Sequence, residues 1–170
     1  MRRATLCLLL LTGCESSAQT VCDLVCECEH CSDLDYELTC AGYDWRQDLA
    51  NTYGCEGQFD AWASCVEGSG KCNERTASFT TMAIGSCSGS QATNYTCTAH
   101  VDCTSVFGAG ATCEGTQCNT RLCASTGIPC QSDVDCVQGV DLCSEEANTL
   151  YTCQNDASAV NPFLPSPSSE

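Results

Sequence analysis

Cys97-Thr-Ala-His-Val-Asp-Cys103 returns thirty-three positions later as Cys130-Gln-Ser-Asp-Val-Asp-Cys136. Each copy is followed by two more cysteines at variable distance, Cys113 and Cys118 after the first, Cys143 and Cys153 after the second. The surroundings are rich in Gly, Ser, Thr and Asn, and no apolar period marks a helical face. Crosslinks must then do what a core cannot. The spacing predicts a loop-rich, knottin-like lobe of two four-Cys repeats over residues 77–153, made of turns and short hairpins. Two units of four leave Cys87 and Cys123, which could pair with each other, the connectivity being open.

Upstream the pattern changes. Residues 22–76 hold eight Cys, namely Cys22, Cys26, Cys28, Cys31, Cys40, Cys55, Cys65 and Cys72, in a helical setting. Thr20 to Asp23 fits a capping box, and beyond it the Cys and Val residues fill a wide helical arc that leaves Asp23, Glu27 and His30 outside. Ser32 to Asp35 fits a second box. After it Leu34, Leu38, Ala41, Trp45 and Leu49 recur at three- and four-residue steps, which predicts a core-facing stripe. Gly54 suits the residue past that helix. A third helix is expected from Gln58 to Val66, with Phe59, Trp62 and Val66 on one side, ended by Gly68-Ser-Gly70. Residues 73–86 carry no Cys and read as a linker or edge. The fold class is therefore small and disulfide-rich, a short three-helix stapled lobe followed by the repeat lobe.

The chain has 170 residues, of which 20 are Cys, 22 acidic and 6 basic, for a formal net charge of −16. A Cys fraction above roughly 8–10 per cent marks a disulfide scaffold in a short exported chain. No basic stripe exists to displace counterions from phosphates, so nucleic acid is excluded as a partner. Adhesion to anionic lipid through surface charge is excluded in the same way. From residue 15 onward only nineteen residues are Leu, Ile or Val. So few apolar side chains leave the core thin against a backbone entropy cost of about 1–2 kcal/mol per residue. Disulfides, typically about 2–4 kcal/mol each, would offset that.

The N-terminus points to export. Met1-Arg2-Arg3 is basic, and Leu6 to Leu11 is an apolar run too short to span a bilayer. Leu11-Thr12-Gly13-Cys14 resembles the bacterial lipobox. The resemblance implies that residues 1–13 are a lipoprotein signal peptide and that Cys14 carries diacylglycerol. The membrane is then a partner through the lipid. Residues 14–21 would form a tether. Glu15, where an Asp is linked with inner-membrane retention, implies the outer membrane or cell surface. The alternative is ordinary cleavage after Ser16-Ser17-Ala18, which would release a soluble protein. Either way Cys7 is discarded and Cys14 leaves the pairing set, so eighteen Cys remain, an even number. Loss of Arg2 and Arg3 moves the charge of −16 by two, to −18. Residues 154–170, with Pro162, Pro165 and Pro167 among Ser and Asn, read as a disordered tail.

Four motifs invite chemistry. Cys28-Glu-His-Cys31 has the spacing of a redox pair, but it lacks the strand-then-helix setting that tunes such thiols. Cys26, Cys28, Cys31 and His30 could hold a soft metal, yet exported thiols oxidise and His30 lies off their arc. Haem attachment needs His after the second Cys, and Ser32 stands there. Asp33, Asp35 and Glu37, like Asp133 and Asp135, alternate carboxylates but lack the Gly and Glu of a calcium loop. His100 has no nucleophile motif near it and reads as a loop residue. No cofactor, metal site or catalytic residue is assigned. Trp45, Trp62, Tyr36, Tyr43, Tyr53 and Phe59 gather in the helical half, mostly as its core.

The repeat resembles the short Cys-x-Ser-Asp-x-Asp-Cys modules of bacterial cysteine-rich surface proteins, which are compared with the N-terminal region of the Dickkopf family. Cys130 to Cys136 matches closely, while Cys97 to Cys103 has Ala99-His100 where Ser-Asp is usual. The helical part is more loosely similar to Cys-spaced segments of exported myxobacterial proteins. The resemblance covers residues 97–153 and implies architecture, not activity. The expectation is a non-enzymatic, lipid-anchored protein with a binding, adhesion or envelope-structural role. A secreted inhibitor or toxin-like ligand is the first alternative, and a metal- or redox-active thiol protein the second.

Overall fold

Ser16 opens the first helix of the computed structural model, which describes residues 16–160. Its side chain accepts from the Gln19 N–H, capping α1 (Ser17–Glu29). The helix thus begins four residues before the expected Thr20 cap. Residues 17–21, read as tether, are helical because Ala18 and Val21 are fully buried and continue the apolar stripe backward. The segment expected to be a signal peptide, with Cys7, and Cys14, the expected lipid site, lie outside the described residues. His30 ends α1 in the left-handed region, with φ of 54°.

Ser32 caps α2 (Asp33–Tyr53), its hydroxyl accepting from Asp35 N–H and donating to the Asp35 carboxylate at 2.6 Å. Gly54 closes it at φ 70°, a conformation that costs glycine little. Helix α3 (Glu56–Ser69) follows at once, longer at both ends than Gln58–Val66. It buries Phe59 and Val66, as the pattern predicts, but Ala63 is buried where Trp62 was expected, and Trp62 packs half-buried beside them. Gly70 then admits the ring of Phe79, which would stand 2.3 Å from a Cβ there.

The expected linker instead takes up the end of β1 (Lys71–Asn73) and holds β2 (Ser78–Thr80) and β3 (Met82–Ile84). The first two form an antiparallel hairpin. Beyond them lie β4 (Gly89–Thr96), α4 (His100–Phe107), β5 (Thr112–Glu114) and β6 (Gln117–Leu122). A 3₁₀ turn (Asp133–Asp135), β7 (Val137–Asp141) and α5 (Ser144–Val160) complete the described chain. Strands β4, β6 and β5 form one antiparallel sheet in that order, and β7 returns to pair with β3.

Helix α5 corrects two expectations. Residues 154–160, read as the start of a disordered tail, are its last turns. It also belongs to the helical core, where Leu150, Cys153 and Ala157 pack against a cluster of Ala18, Val21, Ala50, Tyr53, Phe59 and Val66. The apolar period of α5 is short because Cys153, with Cys143 just before the helix, supplies part of the contact with that core.

The face of α2 is a third correction. Cys40, Ala50 and Tyr53 are buried, whereas Leu34, Leu38 and Trp45 are exposed. The disulfide at Cys40 and the contacts of Tyr43 and Leu49 turn the helix so that most of its predicted stripe meets solvent.

Candidate functional site: the disulfide framework

All eighteen Cys of the described residues are joined in nine disulfides. In the helical part Cys22 bonds Cys40, Cys26 bonds Cys31, and Cys28 bonds Cys72. The two sulfurs of the Cys28–Cys31 motif therefore belong to different crosslinks. Cys26–Cys31 locks the turn at the end of α1, where Cys31 N–H also donates to the Cys26 carbonyl at 3.2 Å. His30 is exposed at that turn.

The repeat carries a pairing rule that its linear order hides. Cys97 bonds Cys113 and Cys103 bonds Cys118, both partners lying after the motif. In the second copy Cys130 bonds Cys87 and Cys136 bonds Cys123, both lying before it. Cys87 and Cys123 thus do not pair with each other. The reason is the sheet: β4 runs beside β6 with Gly89 opposite Leu122, which brings Cys87 and Cys123 to one end of the ribbon. Cys118 sits toward the other end of β6. One strand pair therefore serves both modules.

Cys143 and Cys153 are left over from the second unit, and they cross to the helices. Cys143 bonds Cys65 and Cys153 bonds Cys55. The division of the Cys into separate sets of eight and ten does not hold. Two crosslinks join the parts, one at Cys153 within α5 and one at Cys143 immediately before it.

Side chains repeat along with sulfurs. Asp102 accepts from the N–H groups of Thr98 and Ala99 at 2.7 and 3.0 Å. Asp135, its counterpart, accepts from those of Gln131 and Ser132 at 2.8 and 3.0 Å. Each carboxylate reaches back to donors that a helix start leaves unpaired. These bonds hold the Asp102 carboxyl below its ordinary range, Thr98 contributing most. The position between differs in type and agrees in role. His100 Nδ1 accepts from the Cys113 N–H at 2.7 Å, and Asp133 accepts from the Cys87 N–H at 2.7 Å. In both modules the donor is the Cys bonded to the motif's first Cys. His100 is thus a structural acceptor standing where the second copy has Asp133.

Asp135 does more than its counterpart. It also accepts from Asn73 at 3.0 Å and pairs with Arg75, tying the β1–β2 hairpin to the second module. Its side chain is only 6% exposed. Burial alone would push its carboxyl up, but the bonds from Arg75, Gln131, Ser132 and Asn73 outweigh that and hold it far below the usual carboxylate range. Arg121 braces the same module, donating to the carbonyls of Cys87 and Gln131. Sequence reading weighed Asp133 and Asp135 only as calcium ligands. The recurrence of Asp135 as Asp102 in the first copy was the signal of a structural role.

Asp135→Asn is expected to cost about 1.5–3 kcal/mol at pH 7, the range for hydrogen bonds to a charged group. A depressed carboxyl stabilises the fold above its unfolded pKa of about 4 and loses that contribution as pH falls toward the folded value. The gap between parent and variant should therefore narrow below about pH 4. Urea unfolding at pH 7 and pH 3 measures it, and an equal gap at both would refute the charged-acceptor role.

Three groups of sulfurs come close enough to suggest metal ligation: Cys87, Cys130 and Cys136; Cys97, Cys103 and Cys118; and Cys22 and Cys40 with Asp23. Every one of these sulfurs is in a disulfide, and the Asp23 carboxylate accepts from Tyr36 and Gln19. Disulfide sulfur is not the thiolate that zinc requires. Compared with known proteins, the chain matches no protein-family model, no curated protein and no solved structure.

Proposed function

We propose that the protein is an extracytoplasmic, lipid-anchored binding protein that displays a rigid, acidic surface and catalyses no reaction. The observation that carries this reading is the complete pairing of its eighteen described Cys, a state that needs an oxidising compartment. The lipobox-like Leu11 to Cys14 supplies the anchor, and the likeness of Cys130 to Cys136 to modules of surface proteins supports display.

The start of α1 favours the lipid-anchored form over the secreted one. Cleavage after Ala18 would remove Ser16, the cap of α1, whose loss costs about 0.5–2 kcal/mol. It would also remove Ala18, which is fully buried and donates its N–H to Gln47 at 3.1 Å, and Ser17, which donates to Asp60 at 2.6 Å. Cleavage before Cys14 keeps all three.

Mass spectrometry of the chain matured in a bacterium tests the proposal. The expected N-terminus is Cys14 with a diacylglyceryl group, and Cys14→Ser should move the protein out of the membrane fraction. An unlipidated N-terminal Gln19 would instead establish the secreted form. Reactive thiols among the Cys from Cys22 to Cys153 would overturn the reading in favour of a redox or metal-binding thiol protein.

A further inference from the structure

Leu34, Leu38, Ala41 and Trp45 succeed one another at steps of four, three and four residues, so they form one row along α2. The row faces away from the protein. Leu34 is 64% exposed, Leu38 65% and Trp45 56%. The opposite side of α2, with Cys40, Tyr43 and Ala50, packs against the rest of the helical core. Single exposed apolar residues are ordinary, but a contiguous row on a rigid helix marks an interaction surface.

Charge beside the row selects the partner. At about 100° per residue, Glu37, Asp44 and Asp48 fall along one border of it, with Asp33 at its head, and all four are exposed. No basic residue stands on that border. Arg46, the only basic residue of α2, is on the other side with its guanidinium over the Tyr43 ring, 5.9 Å from the centroid. A second copy of the chain packed antiparallel would set carboxylates against carboxylates, and the formal net charge of −16 opposes self-docking in either orientation. An anionic bilayer would be repelled in the same way. A basic amphipathic segment meets both features at once.

We infer that the outer face of α2 docks a basic amphipathic helix of another protein. Its apolar side chains would lie on Leu34, Leu38, Ala41 and Trp45, and its Lys or Arg residues over Glu37, Asp44 and Asp48. This deepens the display role proposed above by naming the partner class. The face itself exists with or without a lipid, so the two readings fail separately.

The test uses the oxidised full-length chain carrying Cys7→Ser and Cys14→Ser, so that no lipid is attached. The probe is an amphipathic Leu/Lys peptide of about 18 residues, long enough to form a helix, with a Leu/Glu peptide as its charge-reversed control. Calorimetry in about 0.1 M salt limits long-range attraction. The Leu/Lys peptide should bind and the Leu/Glu peptide should not. Affinity should fall at least about tenfold in Leu34→Ser/Leu38→Ser/Trp45→Ser, as for loss of interface anchors. A similar fall is expected in Glu37→Gln/Asp44→Asn/Asp48→Asn. Neutralising Glu27, Glu67 and Glu74, which are exposed elsewhere, should change it by less than about twofold.

Equal weakening by that matched set would overturn the inference, because it would show diffuse attraction to an acidic protein. So would binding of the Leu/Glu peptide, or no binding of the Leu/Lys peptide. Stripe-dependent binding to phosphatidylcholine vesicles in place of the peptide would give the face to a bilayer, and stripe-dependent dimerisation in sedimentation would give it to a second copy. A lipidated Cys14 with no peptide binding would leave the anchor standing and remove only the α2 site. Near-UV dichroism checks that each variant keeps its fold.

Discussion

Replacing Cys55, Cys153, Cys65 and Cys143 together by Ala is expected to lower the unfolding free energy by about 7 kcal/mol and to undock α5. The Cys55–Cys153 bond spans 98 residues and Cys65–Cys143 spans 78. Those spans overstate what either bond contributes alone. With one intact, the other closes only the two short arms between them, an effective loop of about 20 residues, worth about 3 kcal/mol in the chain-entropy account. Once one is gone, the remaining connection between α3 and α5 runs through the Cys87–Cys130 bond. The second removal then opens an effective loop of about 35–55 residues and costs about 4 kcal/mol. The sum falls within the whole stability of an ordinary domain, about 5–15 kcal/mol.

Urea unfolding of each two-Cys variant and of the four-Cys variant checks the figures. Hydrogen exchange adds the location: α5 amides should lose protection while those of β4 and β6 keep it. An unchanged midpoint in the four-Cys variant would mean that the apolar contacts of Leu150 and Ala157 suffice to hold α5, and that the bridging crosslinks are dispensable.

The same two bonds show where the sequence could be read and where it could not. Local signals were legible. Ser32 with Asp35 fixed the start of α2, Gly54 its end, and Phe59 and Val66 the inner face of α3. Each is a short-range effect of hydrogen bonding or backbone conformation. Pairing was not legible, because an entire set of Cys can be partitioned many ways and only the fold brings partners within reach. Cys87 and Cys123 looked like leftovers in the linear order. Antiparallel pairing of β4 with β6 makes them the missing half of the second module. The Asp at the end of each repeat was visible as a repeat but not as a cap, since its donors are backbone groups that carry no sequence signature. Helix α1 was placed late because Ser16 and Ser17 look like tether until Ala18 is seen to be fully buried.

Phe59→Ala is expected to cost about 3–5 kcal/mol, whereas Leu38→Ala should change stability by less than about 0.5 kcal/mol. By apolar period alone the two residues look alike, each on the regular stripe of its helix. Their surroundings differ. Phe59 is fully buried, with its ring 5.5 Å from that of Trp62, and it joins the cluster where α1, α2, α3 and α5 meet. Removing it leaves a cavity in a core with few other large side chains to close it. Crosslinks do not compensate, because they act on the unfolded chain while the cavity is a defect of the folded one. Leu38 is 65% exposed, and truncating it removes little burial. Urea unfolding of the two variants compares them directly. A loss at Leu38 as large as that at Phe59 would show that the α2 row is covered in solution without any partner, and the outer face could then not be a docking site. A small loss at Leu38 keeps that face open, and locates the core of the helical part on α3 and the inner side of α2.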